Sequence, residues 1–505
     1  MRDKGGIGRF LEERCASGGE SPCLVFRDRT WSYAELLATV ESAAACLEAR
    51  GVSRGHRLAL HMPNCPEAIF IWLAAARLGA ITAPLHPRLS PGELQAMLDY
   101  LQPHALVHDA ALSGGRLSPP AGCRIVLERN AEVAALLRGD AHPVAPDTSA
   151  PGDPAEILMT SGTTGSPKGV IQTHRTYRLT GEGFAHWLGI TSRDRLFTCL
   201  PLSHINARAY SFMGSVAAGA CMILEERFSA SRWWEWMAAS RATIANAIGS
   251  MLHILSMAAP SGNDRAHALR LIYSAPALGD DAHRAFEQRF GLRLVIGYGL
   301  SESTYGFIHP LTGERRLDAM GRLRHHPDPS VTCAARLVRV GEDGAPLDDT
   351  PDGETGEIWL RNEAVFSGYF NDPETTSRAL TPDGWLRTGD LAHRDRDGWY
   401  TFVARLREMI RRRGENLAPA EVEQVLMSHP GVAEAAVIGV ASPLGEEDVA
   451  AFVVRTTDAA PTEEELAAFC AARLASFKVP TIWRFPEALP RTATQRVAKH
   501  LLRIN

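Results

Sequence analysis

The chain is 505 residues long, 45% hydrophobic and 22% charged, ordinary globular material with enough length for more than one core. Its 53 basic and 58 acidic residues give a formal net charge of -5 and are scattered apart from the run Arg411, Arg412 and Arg413, so it lacks the basic balance of a nucleic-acid binder. Nine cysteines, an odd number with no C-x-x-C pair, speak against a disulfide framework and a structural zinc site and fit a reducing cytoplasm.

The first residues carry charges throughout without an apolar h-region, so no signal peptide is expected, and no apolar stretch reaches membrane-spanning length. Ser32 with Glu35 three residues later makes a capping box for an amphipathic helix through Leu36, Leu37, Val40 and Leu47, stopped by Gly51. Residues 57–62 read as a strand, 66–78 as a second helix ended by Gly79, and 80–84 as another strand. The same rhythm returns in strands at 242–249, 269–274 and 292–297, which predicts a mostly parallel sheet with helices on its faces. After about residue 340, turns at Gly341, Asp343, Gly344, Asp352, Gly353 and Gly356 separate short runs such as 357–361, a pattern of antiparallel β structure. Beyond Arg405, a helix (419–428), strands (433–440 and 449–454), a helix (463–474) and a last basic helix are expected to make a small α+β domain. The expected division is 1–404 and 405–505, with a hinge at 404–408; no internal repeat or low-complexity tract interrupts it.

The segment Thr160-Ser161-Gly162-Thr163-Thr164-Gly165-Ser166-Pro167-Lys168-Gly169 follows the apolar run Ile157, Leu158 and Met159 and precedes Val170 and Ile171. Hydroxyls, glycines and one lysine so close together offer many donors and a backbone free to approach a polyanion, which points to phosphate binding. It is not a Walker A loop, because Pro167 and Gly169 flank Lys168 where that loop has Gly before and Ser or Thr after. A flexible Gly/Ser/Thr turn is the plainer reading.

At this string the chain resembles the adenylate-forming superfamily of acyl-CoA synthetases, peptide-synthetase adenylation domains and luciferases. The resemblance recurs in order: Tyr298-Gly299-Leu300-Ser301-Glu302 resembles a Tyr-Gly-x-Thr-Glu segment, Arg387-Thr388-Gly389-Asp390 a Thr-Gly-Asp segment, and 405–423 the family's hinge. It implies an α/β fold: a large N-terminal domain of layered, mostly parallel sheets, helices and a small β-barrel-like part, plus a small mobile α+β C-terminal domain. It further implies a small-molecule acid as substrate, ATP and Mg²⁺ as cofactors, and coenzyme A or a carrier-protein phosphopantetheine as thiol acceptor.

Carried over residue by residue, the resemblance gives Thr160, Ser161, Gly162, Thr163, Thr164, Gly165 and Lys168 to the phosphates. Tyr298, followed by Gly299, stacks on adenine against Ser274, Ala275 and Pro276, with a core tyrosine as the bland alternative. Ser301 replaces the usual threonine but keeps a hydroxyl for the α-phosphate, and Glu302 helps to hold Mg²⁺. Asp390, read in a turn after Thr388 and Gly389, takes the ribose hydroxyls or merely caps the turn. Arg405 contacts the nucleotide, Arg407 falls at the pivot position, and Gly414 and Glu415 line the thiol tunnel. For both arginines a solvated surface run continuing through Arg411 to Arg413 is the alternative.

Near the end, the family's Pro-x-Thr-x-x-Gly-Lys reads Pro490-Arg491-Thr492-Ala493-Thr494-Gln495-Arg496, so the catalytic lysine has become Arg496. A guanidinium fork is wider than an ammonium, and Lys499, one helical turn further, is expected to supply the charge instead. Lys499→Ala is therefore expected to cost more acyl-AMP formation than Arg496→Ala. Pro201-Leu202-Ser203-His204-Ile205-Asn206-Ala207 resembles the acid-pocket region of the crotonobetaine/carnitine-CoA ligase branch, with Ser203 where an aromatic residue is common. His204 is a candidate catalytic residue, and Ser203, Asn206, Arg208, Asn246, Gly249, His253 and Thr304 are candidate walls; a structural histidine is the other reading of His204 and His253. Loading of a carrier protein, activation of an oxyacid such as nitrite for transfer to an amine, and nucleotide binding without turnover stand as alternatives to acid–CoA ligation.

Overall fold

The computed structural model describes residues 5–113, 117–138, 147–160, 168–275, 278–341, 345–412, 415–442, 447–456, 460–491 and 497–504. The chain divides into two compact units, one of 1–335 with 360–386, the other of 336–359 with 387–505.

The first unit begins as its local sequence directs. Ser32 Oγ accepts from the Glu35 N–H at 3.1 Å while the Ser32 N–H donates to the Glu35 carboxylate at 2.7 Å, and helix Tyr33–Ala49 buries Leu36, Val40 and Leu47. Strands Arg57–His61, Ile81–Leu85, Ala105–His108 and Ile125–Glu128 run parallel, and Pro154–Thr160, Lys168–Thr173 and Gly368–Tyr369 extend them to a seven-stranded sheet. A nine-stranded sheet is built on Arg195–Thr198, Cys221–Leu224, Ile244–Ile248, Leu271–Ala275 and Arg293–Tyr298, all parallel to their neighbours in this set. One apolar core joins the sheets, with Leu60 and Val107 from the first and Phe197 and Ile272 from the second. Helix Pro66–Arg77 lies inside it, and its apolar run is buried from Ala68 to Ala76.

In the second unit the five-stranded sheet runs Pro346–Asp349, Cys333–Val340, Thr355–Asn362, Leu386–Arg394, Tyr400–Arg405, an open order that closes no barrel among the described residues. By its contacts this sheet groups with the carboxy-terminal fold, whereas the sequence reading sets it before the division at 404–408. The remainder is a three-stranded sheet of Val432–Ala441, Glu447–Arg455 and Ile482–Arg484 with helices Pro419–Met427 and Glu463–Ala471. Both faces of its central strand are covered: Val449, Ala451 and Val453 enter one apolar cluster, Ala450 and Phe452 another. Among the described residues the expected last basic helix is corrected to one short 3₁₀ turn, Lys499–Leu501. Before that turn, Arg491 and Val497 pair in an antiparallel bridge. Arg412 is corrected as well: it is not a solvated residue but buried, donating to the carbonyls of Phe477 and Val479 at 2.9 and 2.8 Å.

All nine cysteines are free thiols, and among the described residues no helix is long and apolar enough to cross a membrane.

Candidate active site

The hydroxyl- and glycine-rich string is the connection of a β-hairpin. Pro154–Thr160 and Lys168–Thr173 pair antiparallel with Thr160 opposite Lys168, and Thr160 Oγ1 donates to the Lys168 carbonyl at 3.3 Å. Ser161, Gly162, Thr163, Thr164 and Gly165 lie outside the described residues, so the two ends carry what is visible. Gly169 is needed for close packing, since a Cβ there would meet Ile157 Cγ2 at 2.7 Å and Phe370 Cβ at 3.1 Å. Lys168 Nζ stands 5.4 Å from the centroid of the Tyr369 ring.

Glu302 lies beside the same hairpin. The neighbouring carbonyl of Ser301 accepts from Gln172 Nε2, and the Tyr369 hydroxyl donates to Glu302 Oε1 at 2.8 Å. Among the described residues Glu302 Oε2 has no hydrogen-bond partner, and no group of three or more His, Cys, Asp or Glu gathers into a metal cage. One partly engaged carboxylate suits Mg²⁺, which takes one or two protein oxygens and completes its shell with phosphates and water.

The nine-stranded sheet supplies the rest. Its order places Arg195–Thr198 between Cys221–Leu224 on one side and Ile244–Ile248, Leu271–Ala275, Arg293–Tyr298 on the other, so the winding reverses beside Arg195–Thr198. Ligands of such sheets bind outside the carboxyl ends of the strands at this switch point. Ser203, His204 and Asn206 follow Arg195–Thr198, Asn246 lies midway along Ile244–Ile248 and Gly249 follows it, Ala275 ends Leu271–Ala275, and Tyr298 ends Arg293–Tyr298. Asn246 Nδ2 crosses the reversal to Asn206 Oδ1 at 2.8 Å and also reaches Ser211 Oγ at 3.0 Å. Asn64, in the loop after strand Arg57–His61, donates to the Leu200 carbonyl at 2.9 Å and accepts from the Leu202 N–H at 2.8 Å, fixing the loop that leads to Ser203. Ser203 Oγ is buried with no partner among the described residues, and the His204 ring lies 5.5 Å from that of His86. Burial, with the charge of Arg88 next, holds His86 down to about 4.

Other expected residues are interior. Ser274 and Thr304 are fully buried, Thr304 Oγ1 lying 2.6 Å from Thr180 Oγ1. Arg208 is not on a wall: its guanidinium meets the buried Glu156 carboxylate, which Tyr177 and Thr82 also reach, and lies over Trp72. Burial pushes the Glu156 carboxyl up while Arg208, Tyr177 and Thr82 pull against it. Tyr298 stacks on Phe307 at 5.6 Å; Pro276 lies outside the described residues, and His253 is half-buried in helix Gly249–Met257.

Sequence reasoning misses Arg324 and Tyr369. Arg324 is buried at 1% exposure, and its fork reaches Tyr210 Oη at 2.9 Å, the carbonyls of Thr304 and Phe307 at 2.7 and 3.0 Å, and Tyr273 Oη at 2.5 Å. It thereby fixes the segment after Tyr298. Neither residue belongs to a motif that would single it out.

In the second unit, Asp390 lies in strand Leu386–Arg394 and not in a turn; Gly389, at φ +70°, supplies the local kink that looks turn-like in sequence. Asp390 is opposite Arg405 in register, and their side chains pair at 3.3 Å. The buried Glu357, also missed, accepts from the Gly389 N–H at 3.0 Å and from Trp359 Nε1 at 2.8 Å, so it braces this kink. Arg407 sits in the 3₁₀ turn Leu406–Glu408. Lys499 Nζ lies 2.8 Å from Glu423 Oε1 and 3.2 Å from Glu408 Oε2. Gly414, Arg496 and the Glu415 side chain lie outside the described residues, though Glu415 pairs with Arg412 through the backbone.

Residues 11–370 match the family model described as AMP-binding enzyme, and residues 421–496 that described as AMP-binding enzyme C-terminal domain. The crotonobetaine/carnitine–CoA ligase of Proteus mirabilis is 33% identical over 491 residues, which span 93% of this chain and 92% of that protein. ATP-bound MatB from Rhodopseudomonas palustris superposes with a TM-score of 0.87 at 27% identity, covering 98% of each chain. O-succinylbenzoate coenzyme A synthetase (MenE) from Bacillus subtilis, in complex with AMP, gives 0.84 at 27% identity over 98% of this chain and 97% of that one.

Proposed function

Because the chain belongs to the AMP-binding enzyme family, we propose that it activates a small carboxylic acid with ATP and passes the acyl group to the thiol of coenzyme A. In the first step a carboxylate oxygen attacks the α-phosphorus, the bond to the bridging oxygen breaks, and pyrophosphate leaves. In the second the thiol sulfur attacks the acyl carbonyl, loses its proton, and AMP leaves with the oxygen. The observation that carries this reading is the meeting of the phosphate-loop lysine and Glu302 on one tyrosine at the hairpin, with Tyr298 and the Ser203–Asn206 loop at the carboxyl ends of the neighbouring sheet.

On this reading Thr160 and Lys168, with the intervening loop, hold the triphosphate; Tyr298 and Ala275 flank the adenine; and Ser301 faces the α-phosphate. Bound Mg²⁺ would neutralise charge on the departing pyrophosphate, with Glu302 as its protein ligand. Asp390 is proposed to take the ribose hydroxyls and Arg405 the nucleotide, with a rotation at 404–408 between the two steps. Ser203, His204, Asn206 and Asn246 give the acid pocket a polar wall. Gly414 and Glu415 are proposed for the thiol passage.

Purified chain incubated with ATP, Mg²⁺ and a panel of acids, with and without coenzyme A, should release AMP and pyrophosphate and form thioester only when coenzyme A is present. Pyrophosphate without thioester would point to a carrier-protein or amine acceptor, and ATP binding without any release would reject the enzymatic reading. The seat of Lys499 between two carboxylates favours the opposite order to the one expected from the sequence. Leaving Glu408 and Glu423 costs that ammonium its partners, so Arg496 is proposed to carry the charge that meets the reacting groups. Arg496→Ala is expected to slow pyrophosphate release by about one or two powers of ten, and more than Lys499→Ala does; the opposite order restores Lys499 to that role.

A further inference from the structure

The stretch 365–370 ties together the two segments proposed to face the triphosphate. At one end Val365 bridges Ser303, and the Phe366 N–H donates to the Glu302 carbonyl at 2.8 Å. At the other, Gly368–Tyr369 pairs antiparallel with Lys168–Thr173, Tyr369 opposite Val170, while the N–H groups of Ser367 and Phe370 donate to Ile171 and Gly169 at 2.9 and 2.7 Å. Tyr369 therefore has its backbone on the phosphate-loop strand and its hydroxyl on Glu302.

Its conformation is over-determined. The Tyr369 N–H donates to Thr376 Oγ1 at 2.8 Å, and the Phe366 ring packs edge-on at 4.8 Å. Gly368 sits at φ +136°, where a Cβ would also meet Thr376 Cγ2 at 2.8 Å, so only glycine delivers Tyr369 to this place. A glutamate left alone samples several rotamers; one oxygen pinned by a phenol held this firmly does not.

We infer that Tyr369 is a positioning residue for the metal-bound nucleotide: its hydroxyl orients Glu302 toward the cation, and its ring face seats the Lys168 ammonium by cation–π attraction. The inference rests on the ATP reading above. Its two parts separate chemically, because Tyr369→Phe removes the hydroxyl and keeps the ring, whereas Tyr369→Leu removes both.

Calorimetry on the full-length chain, titrating ATP without metal and then Mg²⁺ into the ATP complex, distinguishes them. Tyr369→Phe should bind metal-free ATP as the parent does but need about tenfold more Mg²⁺ for half-saturation, the loss expected for one hydrogen bond to a charged group. Tyr369→Leu should in addition weaken metal-free ATP. A purely structural role would lower the melting temperature of both variants and weaken both titrations together, which would overturn the inference. So would a Tyr369→Phe variant with the parental Mg²⁺ requirement, with the ATP reading left standing. A parent chain that binds no ATP overturns both.

Discussion

His61 closes strand Arg57–His61 and His86 follows strand Ile81–Leu85, so both rings sit at the packed carboxyl edge of the seven-stranded sheet. Burial first, then the neighbouring His108, holds His61 down to about 4; burial first, then Arg88 and His61, does the same for His86. Asp109 and Glu93 oppose these shifts without reversing them. An unfolded chain takes up protons on these rings below about 6.5, while the folded chain keeps them off until about 4. The unfolded state thus binds more protons within that window, so stability is full above it and falls as the pH is lowered through it. Denaturant midpoints should decline across this range, and less steeply in a His61→Gln, His86→Gln variant; parallel slopes would remove these rings as the cause. Nothing in the sequence marks these two histidines, because the first cause of both shifts is burial, which only the packed sheet creates.

The hairpin strand Pro154–Thr160 and the π-helix Asn206–Phe212 are joined by the buried pair Glu156 and Arg208. One element leads to the phosphate loop and the other carries the proposed acid side, so this pair sets their spacing. Removing Arg208 alone strands a charge in the core, and Arg208→Ala is expected to cost about 3–5 kcal/mol in urea unfolding, whereas Glu156→Leu with Arg208→Met should cost far less. Equal losses in the single and double variants would contradict this account. The capping box and the glycine stops were legible because each depends on residues a few positions apart. The Glu156–Arg208 pair spans 52 positions, and the π form of Asn206–Phe212 has no sequence signature, so neither could be read.

At the scale of the chain, the succession of helices and strands disclosed the α/β first unit, and the turn-rich stretch after residue 340 disclosed the five-stranded sheet. The grouping of that sheet with the carboxy-terminal fold was hidden, since it depends on contacts distant in sequence. Of the expected last basic helix, the described residues hold only the 3₁₀ turn Lys499–Leu501, because Arg491 and Val497 pair as an antiparallel bridge, a contact that helical propensity does not disclose. One consequence follows from the order of the nine-stranded sheet. The loops proposed to meet the acid follow Arg195–Thr198 and Ile244–Ile248, while those proposed for the nucleotide follow Leu271–Ala275 and Arg293–Tyr298. On that proposal, fuel and cargo are handled by separate inserts on a common frame, so altering the cargo inserts is expected to leave the fuel-handling inserts in place.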